Sequence, residues 1–314
     1  MCTSFLLTGF NSILARNMDI DFNLDEKVII IPRNFIISLK KEEDLITNHF
    51  AIMGVGTVID GYPLLCDAMN EKGLSAAALN FKGNARYYKY DTTKFNLAPY
   101  ELMLYLLCRC SDVDEVKKFL DDINIIDTHF SNQIKNTALH FMFADKDKSI
   151  VVETTVDGMR VYDNVYNVLT NNPPFSYHLE NVKHYIHLTT NEINNTFDHK
   201  LDIEGYSLGQ GAVGLPGDYS SSSRFIKILF IKNNMKYKQD EKDMIHHSFK
   251  ALDSVSMIDG LVQTSSGYEY THYQVCYNLS NCKMYYKNYN NDFIQYNLKD
   301  FNILDNKLKI LELF

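Results

Sequence analysis

The chain has 314 residues, of which 46% are hydrophobic, and its net charge is −8. This length allows a substantial core in one large or two medium domains. The acidic balance argues against nucleic acid as the main partner, because phosphate binding needs a basic face, and no run approaches the ~20 apolar residues of a membrane helix. Because no secretory signal pattern opens the sequence, we expect a cytoplasmic protein with no membrane partner.

The first third of the chain predicts strands. Residues 2–8 and 12–18 flank Gly9-Phe10-Asn11, which has the turn residues of a three-residue hairpin loop. Further strands are predicted over 27–32, 49–55 and 62–66. Residues 74–80 could be helical because of Ala76-Ala77-Ala78, but Gly73 and Gly83 favour a short buried strand.

The register of this hairpin brings a charged stretch beside the start of the chain. Centring the loop on Phe10 places Cys2 opposite Met18, give or take one residue. Arg16 and Asp19 then lie next to Cys2. In a regular strand they point to opposite faces, so both can face the thiol only if a bend or bulge lies between them.

Helices are predicted in the middle of the chain. The segment 96–110 has Pro99 near its start and apolar residues around much of its circumference, and Ser111 is expected to cap a second helix over 112–122. Strand patterns return over 140–144, 149–155 and 159–162. Ser221 or Ser222 is expected to cap a helix that runs to 232, and strands follow over 268–277, 283–289 and 292–296.

The order of these elements predicts the fold class. Strands, helices, strands, one helix and strands again indicate an α+β protein with two antiparallel sheets and helices outside them. The pattern does not alternate between strand and helix as parallel α/β folds do. Because no linker, low-complexity tract or internal repeat interrupts the sequence, we expect a single domain.

The cysteines and histidines predict no metal or cofactor. Six cysteines in a chain of this length favour reduced, buried thiols over disulfides. Cys108 and Cys110 lack the C-x-x-C spacing of a zinc site, and His184 and His187 have no obvious third ligand. No Walker loop and no GxGxxG motif is present.

Cys2 is the first candidate functional residue. If Met1 is removed, this one residue carries both a thiol, with a pKa of roughly 8.5, and an α-amine, with a pKa of about 7.7–8.0. The amine can then accept the thiol proton and activate the sulfur as a nucleophile. A cysteine at position 2 could equally be an accident of sequence, so the hypothesis requires other residues to converge on it.

Three polar residues elsewhere are candidates for that convergence. Asn80 and Asn171 each follow an apolar run, where an asparagine commonly begins a turn but where an amide and a backbone N–H can also form an oxyanion hole. Arg224 lies inside an otherwise apolar helix. An exposed arginine is the default interpretation, and an arginine that points into a site is the alternative.

Six blocks of sequence, taken together, resemble the choloylglycine hydrolase family, which contains the bile salt hydrolases and penicillin V acylases. The blocks occur in the order of the family, and the resemblance runs from Cys2 to the C-terminal strands. They are Met-Cys-Thr at the start, Ala15-Arg-Asn-Met-Asp19, Asp67-Ala-Met-Asn-Glu-Lys-Gly73, Ala78-Leu-Asn-Phe81, Val168-Leu-Thr-Asn-Asn-Pro173, and Gly214-Leu-Pro-Gly-Asp-Tyr219 with Ser223-Arg-Phe225.

The resemblance implies an N-terminal-nucleophile hydrolase with a four-layer αββα sandwich, spanning 2–314 after loss of Met1. It implies that Cys2 is the nucleophile and its α-amine the proton acceptor, with Arg16 beside the thiol and Asp19 holding the amine. The Asn80 backbone N–H and the Asn171 side chain would form the oxyanion hole, and Arg224 would complete the polar cluster. The family needs no metal or cofactor, and members like this one often form homotetramers.

The resemblance also implies a substrate. Asn at position 80 is similar to the branch that hydrolyses bile salts, whereas penicillin-preferring members tend to carry Tyr there. We therefore expect a glycine- or taurine-conjugated bile acid, and the residues do not decide between the two head groups. The alternatives are an acylase for penicillin V or N-acyl homoserine lactones and, from another class, a catalytically silent binding protein. The positions matching the steroid pocket, each of which could instead be a core residue, are Met18, Ile59, Phe130, Ile134 and Leu139.

Overall fold

The protein is described by a computed structural model that covers residues 1–42 and 45–313. The first strands are β1 (Cys2–Leu7), β2 (Ile13–Ile20), β3 (Lys27–Ile31), β4 (Ile37–Ser38), β5 (Leu45–Ile46), β6 (Ile52–Ile59), β7 (Tyr62–Asn70), β8 (Ser75–Asn80), β9 (Phe95–Leu97) and β10 (Ile123–Ile125). The later strands are β11 (Leu139–Ala144), β12 (Ser149–Thr155), β13 (Gly158–Asp163), β14 (Val168–Leu169), β15 (Val262–Gln263), β16 (Tyr268–Asn278), β17 (Lys283–Asn288), β18 (Phe293–Asn297) and β19 (Lys309–Leu311).

Five α-helices accompany these strands in the described residues. They are α1 (Leu102–Arg109), α2 (Val113–Leu120), α3 (Phe175–Asn181), α4 (Ser221–Asn234) and α5 (Glu241–Asp253). None of them has the length and hydrophobicity that crossing a bilayer requires.

Two antiparallel sheets form the centre of the molecule. The first has the order β14-β1-β2-β16-β17-β18, with β15 added beside β16, and the second has the order β13-β12-β11-β8-β7-β6-β3-β19. One hydrophobic cluster joins the facing sides of the sheets and continues to α4 and α5. A second cluster packs α1 and α2 against the far side of the second sheet. The expected four-layer αββα sandwich is therefore confirmed.

The register of the N-terminal hairpin agrees with the sequence prediction. Cys2 pairs with Met18 across β1 and β2. A bulge is present as well, but it lies in the neighbouring strand β16, where Thr271 pairs with Asp19 and Tyr273 pairs with Met18. Strand β2 itself alternates regularly through this region, so Arg16 and Asp19 leave it on opposite faces.

The predicted helices need correction at their N-termini. The helix expected over 96–110 begins only at Leu102, because Asn96 and its neighbours form β9 and pair in parallel with β10. The second helix is capped by Asp112, whose side chain accepts from Glu115 N, and not by Ser111. The cap of α4 is Ser220, which precedes both predicted candidates, Ser221 and Ser222.

The sequence analysis did not predict two of the helices, α3 and α5. Helix α5 has a clear start, because the Asp240 side chain accepts from Asp243 N, and it buries one face against the first sheet. The predicted order of elements has only one helix in this part of the chain. Helix α3 follows Pro174 directly and is only seven residues long, which gives too few turns for a periodic pattern to be recognised.

Candidate active site

Cys2 lies at the beginning of β1, and 3% of its surface is exposed. Its side chain points into the space between the two sheets. Arg16 Nη2 lies 3.3 Å from Cys2 Sγ, and Met18 Sδ lies 3.9 Å from the same sulfur. The hairpin register thus brings a buried cation next to the thiol, since Arg16 is two residues before the partner of Cys2 in the ladder.

The guanidinium of Arg16 is fixed from several directions. Nη2 also donates to Ala78 O at 2.8 Å and to Met18 Sδ at 2.9 Å, and Nη1 donates to the carboxylate of Asp67. Burial lowers the pKa of Arg16, but electrostatic interactions with Cys2, and then with Tyr273 and Asp67, outweigh that effect and raise the pKa well above its ordinary value. Arg16 is therefore a permanent cation at the sulfur.

Asn171 lies on the other side of Cys2. Its Oδ1 accepts from Cys2 N at 2.8 Å, and its Nδ2 donates to Asn80 O at 2.8 Å. The side-chain amide carries a second N–H, which the Asn80 contact leaves free to bind another acceptor. The expected meeting of Asn80 and Asn171 beside Cys2 is therefore present in the structure.

The backbone N–H of Asn80 points to the same edge of β8 as Asn80 O, which Asn171 Nδ2 contacts. Phe81 N donates to Ala138 O at 2.8 Å, toward β11, and consecutive backbone amides of a strand point to opposite edges. The Asn80 N–H consequently points away from β11, and the pairing of β8 with β7 has already ended at Ala77. The Asn80 side chain is exposed, and its Oδ1 accepts from Lys82 N at 2.9 Å.

Arg224 points inward from α4 and is 1% exposed, so the interpretation of it as a surface arginine is wrong. Its Nη1 donates to Cys2 O at 2.5 Å and to Thr3 Oγ1 at 2.6 Å. Its Nη2 donates to Asn171 Oδ1 at 2.8 Å. One guanidinium thus holds both the backbone of the nucleophile and the amide beside it.

Asp19 is close to the start of the chain but forms no hydrogen bond with Cys2 in the described structure. It faces Met1 in the ladder, because Met1 N donates to Asp19 O at 2.8 Å and Asp19 N donates to Met1 O at 3.2 Å. Its Oδ1 accepts from Thr271 at 2.6 Å, whereas the buried Oδ2 has no partner among the described residues. Burial raises the pKa of Asp19, and Arg224 and the N-terminal ammonium oppose that shift.

A cavity of about 410 Å³ opens beside Cys2 between the sheets. Arg16, Asp19 and Asn80 lie in its wall together with the sulfur. All five side chains expected to line a substrate pocket are present in that wall: Met18, Ile59, Phe130, Ile134 and Leu139. The wall therefore combines one polar end, at the thiol, with a long apolar surface.

Among the residues that the structure describes, this cavity has no cluster of metal-ligating side chains. Within 1–42 and 45–313, nowhere do three or more His, Cys, Asp or Glu side chains gather as metal ligands would.

A family model for linear amide C–N hydrolases, the choloylglycine hydrolase family, matches residues 2–311. The chain belongs to this family. It is 42% identical to a bile salt hydrolase/transferase of Lactiplantibacillus plantarum over 94% of this chain and 91% of that protein. It is 38% identical to a bile salt hydrolase/transferase of Clostridium perfringens, again over 94% of this chain and 91% of the relative.

One solved structure agrees with this membership, and a second shares the fold. A crystal structure of a mutant conjugated bile acid hydrolase from Clostridium perfringens superimposes with a TM-score of 0.93 at 36% identity, covering 100% of this chain and 97% of that one. A penicillin V acylase from Agrobacterium tumefaciens superimposes with a TM-score of 0.78 at 19% identity, covering 99% of this chain and 91% of that one. The second similarity establishes the fold alone.

The sequence prediction missed the groups that hold the segment carrying Asn171 in place at the choloylglycine hydrolase site. His140 Nε2 lies 3.0 Å from Thr170 O, and its Nδ1 lies 3.0 Å from Glu153 Oε1. Ser221 Oγ accepts from Asn171 N at 2.8 Å. A histidine and a glutamate in two apolar strands were the available signal, but their common target, the segment that carries Asn171, becomes visible only in the fold.

His178 on α3 completes this support. Its Nε2 lies 3.1 Å from Asn171 O, and its ring stacks on Phe225 with a centroid separation of 4.5 Å. Burial lowers the pKa of His178 from its usual 6.5 to about 4. The folded state therefore binds fewer protons than the unfolded state between these two values.

We predict that the titration of His178 lowers the free energy of unfolding as the pH falls from 6.5 toward 4. The depressed pKa means that the unfolded chain gains the proton first, which favours unfolding by about 3 kcal/mol across this window. In His178→Phe, which can retain the stack on Phe225, this contribution disappears. The measurement is the free energy of urea unfolding at pH 7 and pH 4 for both proteins, and equal losses in the two would contradict the prediction.

Proposed function

We propose that the chain, after loss of Met1, is a cysteine-nucleophile amidase that hydrolyses the amide bond of glycine- or taurine-conjugated bile acids. The observation that carries the proposal is the 3.3 Å contact between Arg16 Nη2 and Cys2 Sγ at the polar end of an apolar cavity. We further propose that residues 2–314 act as a single N-terminal-nucleophile hydrolase domain. The named relatives, which are bile salt and conjugated bile acid hydrolases, support the substrate class.

The nucleophile is activated within one residue. Loss of Met1 converts Cys2 N into an α-amine, which takes the proton of the Cys2 thiol. Arg16 stabilises the resulting thiolate by a charge-assisted hydrogen bond. The contact of Cys2 N with Asn171 Oδ1, at 2.8 Å, supports a fixed position for this amine.

Asp19 is proposed to hold the amine from its other side. Its buried Oδ2 has no partner among the described residues, and Asp19 interacts electrostatically with the N-terminal ammonium. After loss of Met1 that ammonium is the α-amine of Cys2, which would give this oxygen a partner and would offset the cost of burying the carboxylate. Arg224, which holds Cys2 O, Thr3 and Asn171 together, is proposed to fix the geometry of the polar cluster.

The reaction then proceeds in two stages. The thiolate attacks the amide carbonyl carbon, and the oxyanion that forms is held by the Asn80 backbone N–H and the free N–H of Asn171. The C–N bond breaks as the α-ammonium returns its proton to the leaving amine, which departs as glycine or taurine. Water, deprotonated by the same amine, attacks the thioester, and the bile acid leaves as the thiol regains its proton.

The cavity fits a rigid apolar acyl group better than a flexible polar one. Burial of apolar substrate surface against Met18, Ile59 and Phe130 provides binding energy in proportion to the area covered. Ile134 and Leu139 extend the same wall. The steroid skeleton of a bile acid supplies such a surface, while its conjugated amide extends to the thiol.

We also propose a cytoplasmic homotetramer. All six cysteines, each in the described part of the chain, are free, as a reducing compartment favours. Large apolar side chains are exposed in the irregular segment after α3, among them Phe197 at 88% and Tyr206 at 85%, and such surface often marks an interface. Sedimentation equilibrium tests the assembly: a mass of four chains supports it, and a monomer contradicts it.

The proposal predicts hydrolysis of glycocholate, taurocholate or both by the protein that lacks Met1. Released glycine and taurine are measured, and intact mass reports whether Met1 is absent. Cys2→Ser and Cys2→Ala should each abolish turnover, because neither retains the thiol.

Three outcomes would contradict this proposal. Substantial activity in Cys2→Ala would exclude the nucleophile. Cleavage of penicillin V with both bile salts left intact would favour the acylase alternative. A folded chain that lacks Met1 and cleaves none of these amides would favour a binding protein.

A change in the apolar wall should weaken substrate binding more than chemistry. Phe130 packs against Tyr62 and Tyr100 at centroid distances of 5.7 and 5.4 Å and lines the cavity. We predict that Phe130→Ala raises KM about tenfold, because losing part of this contact costs about 1.4 kcal/mol. Phe10→Ala, at the exposed tip of the hairpin, is the control. An unchanged KM in Phe130→Ala would remove this side chain from the proposed pocket.

A further inference from the structure

Asp67 begins one of the sequence blocks that mark the family, yet the mechanism above gives it no role. It lies on β7 immediately after a bulge. Asp67 pairs with Val55 and Leu65 pairs with Gly56, so Cys66 is inserted between two consecutive pairs. The Asp67 side chain is fully buried and points across to the first sheet. A carboxylate in that position requires several donors, because an unpaired buried charge is strongly destabilising.

Three donors meet this carboxylate. Tyr273 and Tyr277, which lie on the same face of β16, each donate a hydroxyl hydrogen to it at 2.6 Å. The third donor is Nη1 of Arg16, whose Nη2 contacts the Cys2 thiol. Burial raises the pKa of both tyrosines well above their ordinary value, so they remain neutral donors. Asp67 is thus held rigidly and has the charge opposite to that of Arg16.

The effect of the Asp67 charge on the Cys2 thiol depends on the other titratable groups around that thiol. Arg16 faces the sulfur from β2, Arg224 approaches Cys2 O from α4, and the N-terminal amine and Asp19 lie at the open end of the ladder. Cys66, in the wall of the same cavity, is an uncharged thiol, because burial raises its pKa to about 12. Asp67 is the carboxylate in direct contact with Arg16 within the described residues.

We propose that Asp67 is a positioning residue that neutralises Arg16, so that the guanidinium donates a hydrogen bond to Cys2 Sγ without holding the sulfur permanently as a thiolate. An uncompensated buried Arg16 would use the Cys2 thiolate as its counter-ion. The thiolate would then form at lower pH and would be a weaker nucleophile, since nucleophilicity falls with thiol pKa. With Asp67 present, the thiol proton can pass to the α-amine, as activation of the nucleophile requires.

The catalytic meaning of this inference rests on the proposed function, but its test does not require a substrate. The pH dependence of Cys2 alkylation by iodoacetamide is measured on protein that lacks Met1, by mass spectrometry of the N-terminal peptide. The Cys2→Ala variant reports any alkylation of the other five thiols. Asp67→Asn keeps the shape of the side chain and removes its charge, and the α-amine is the same in both proteins.

The inference predicts that the alkylation midpoint of Asp67→Asn lies about one pH unit or more below that of the wild type. A merely structural role for Asp67 would reduce alkylation at all pH values without moving the midpoint downward. A midpoint that is unchanged or raised would overturn the inference. Failure to hydrolyse bile salts would instead contradict the proposed function. The alkylation midpoints could still be compared, because alkylation requires no substrate.

A double variant keeps the inference testable if Asp67→Asn does not fold. Arg16→Met with Asp67→Asn replaces the ion pair by neutral groups, a change that folded proteins often tolerate. If the two charges cancel at the sulfur, the midpoint of the double variant stays within about one pH unit of the wild type. A larger rise would show that Arg16 acts on the thiol uncompensated, which would overturn the inference.

Discussion

One buried guanidinium connects the two sheets at the point where the chain begins. Arg16 leaves β2 in the first sheet, reaches Asp67 and Ala78 in the second, and contacts Cys2 Sγ at 3.3 Å. An unpaired cation in this interior would be strongly destabilising, so the strands that supply its acceptors must keep their positions. The location of the thiol therefore depends on the packing of both sheets and not on the hairpin alone.

Asn171 extends the same constraint to the outer side of Cys2. Its Oδ1 receives one hydrogen from Cys2 N and one from Arg224, which fixes which end of the amide faces the nucleophile. The segment that carries it is held in turn by His140 and Ser221. Among the described residues, three buried polar atoms of this cluster have no partner: Asp19 Oδ2, Arg16 Nε and His178 Nδ1. Unsatisfied groups of this kind concentrate at functional sites.

Much of the site could be predicted because its signals are local or shared with a family. The turn at Phe10 fixes the pairing of Cys2 with Met18, and period-2 alternation then determines the face of every residue in the hairpin. The contact between Arg16 and Asp67 was beyond this reasoning, because it joins different sheets and depends on how they pack. The late start of α1 was missed because the parallel pairing of β9 with β10 overrides helix propensity in that segment.

Catalysis by this mechanism requires that the sulfur of Cys2 forms a covalent bond with the acyl group during turnover. The most direct measurement mixes the protein that lacks Met1 with glycocholate, quenches the reaction in acid within milliseconds, and determines the mass of the N-terminal peptide. We expect a cholyl thioester on Cys2 that hydroxylamine removes. Turnover with no acyl group on that peptide in a pre-steady-state series, or an acyl group on any other residue, would contradict it.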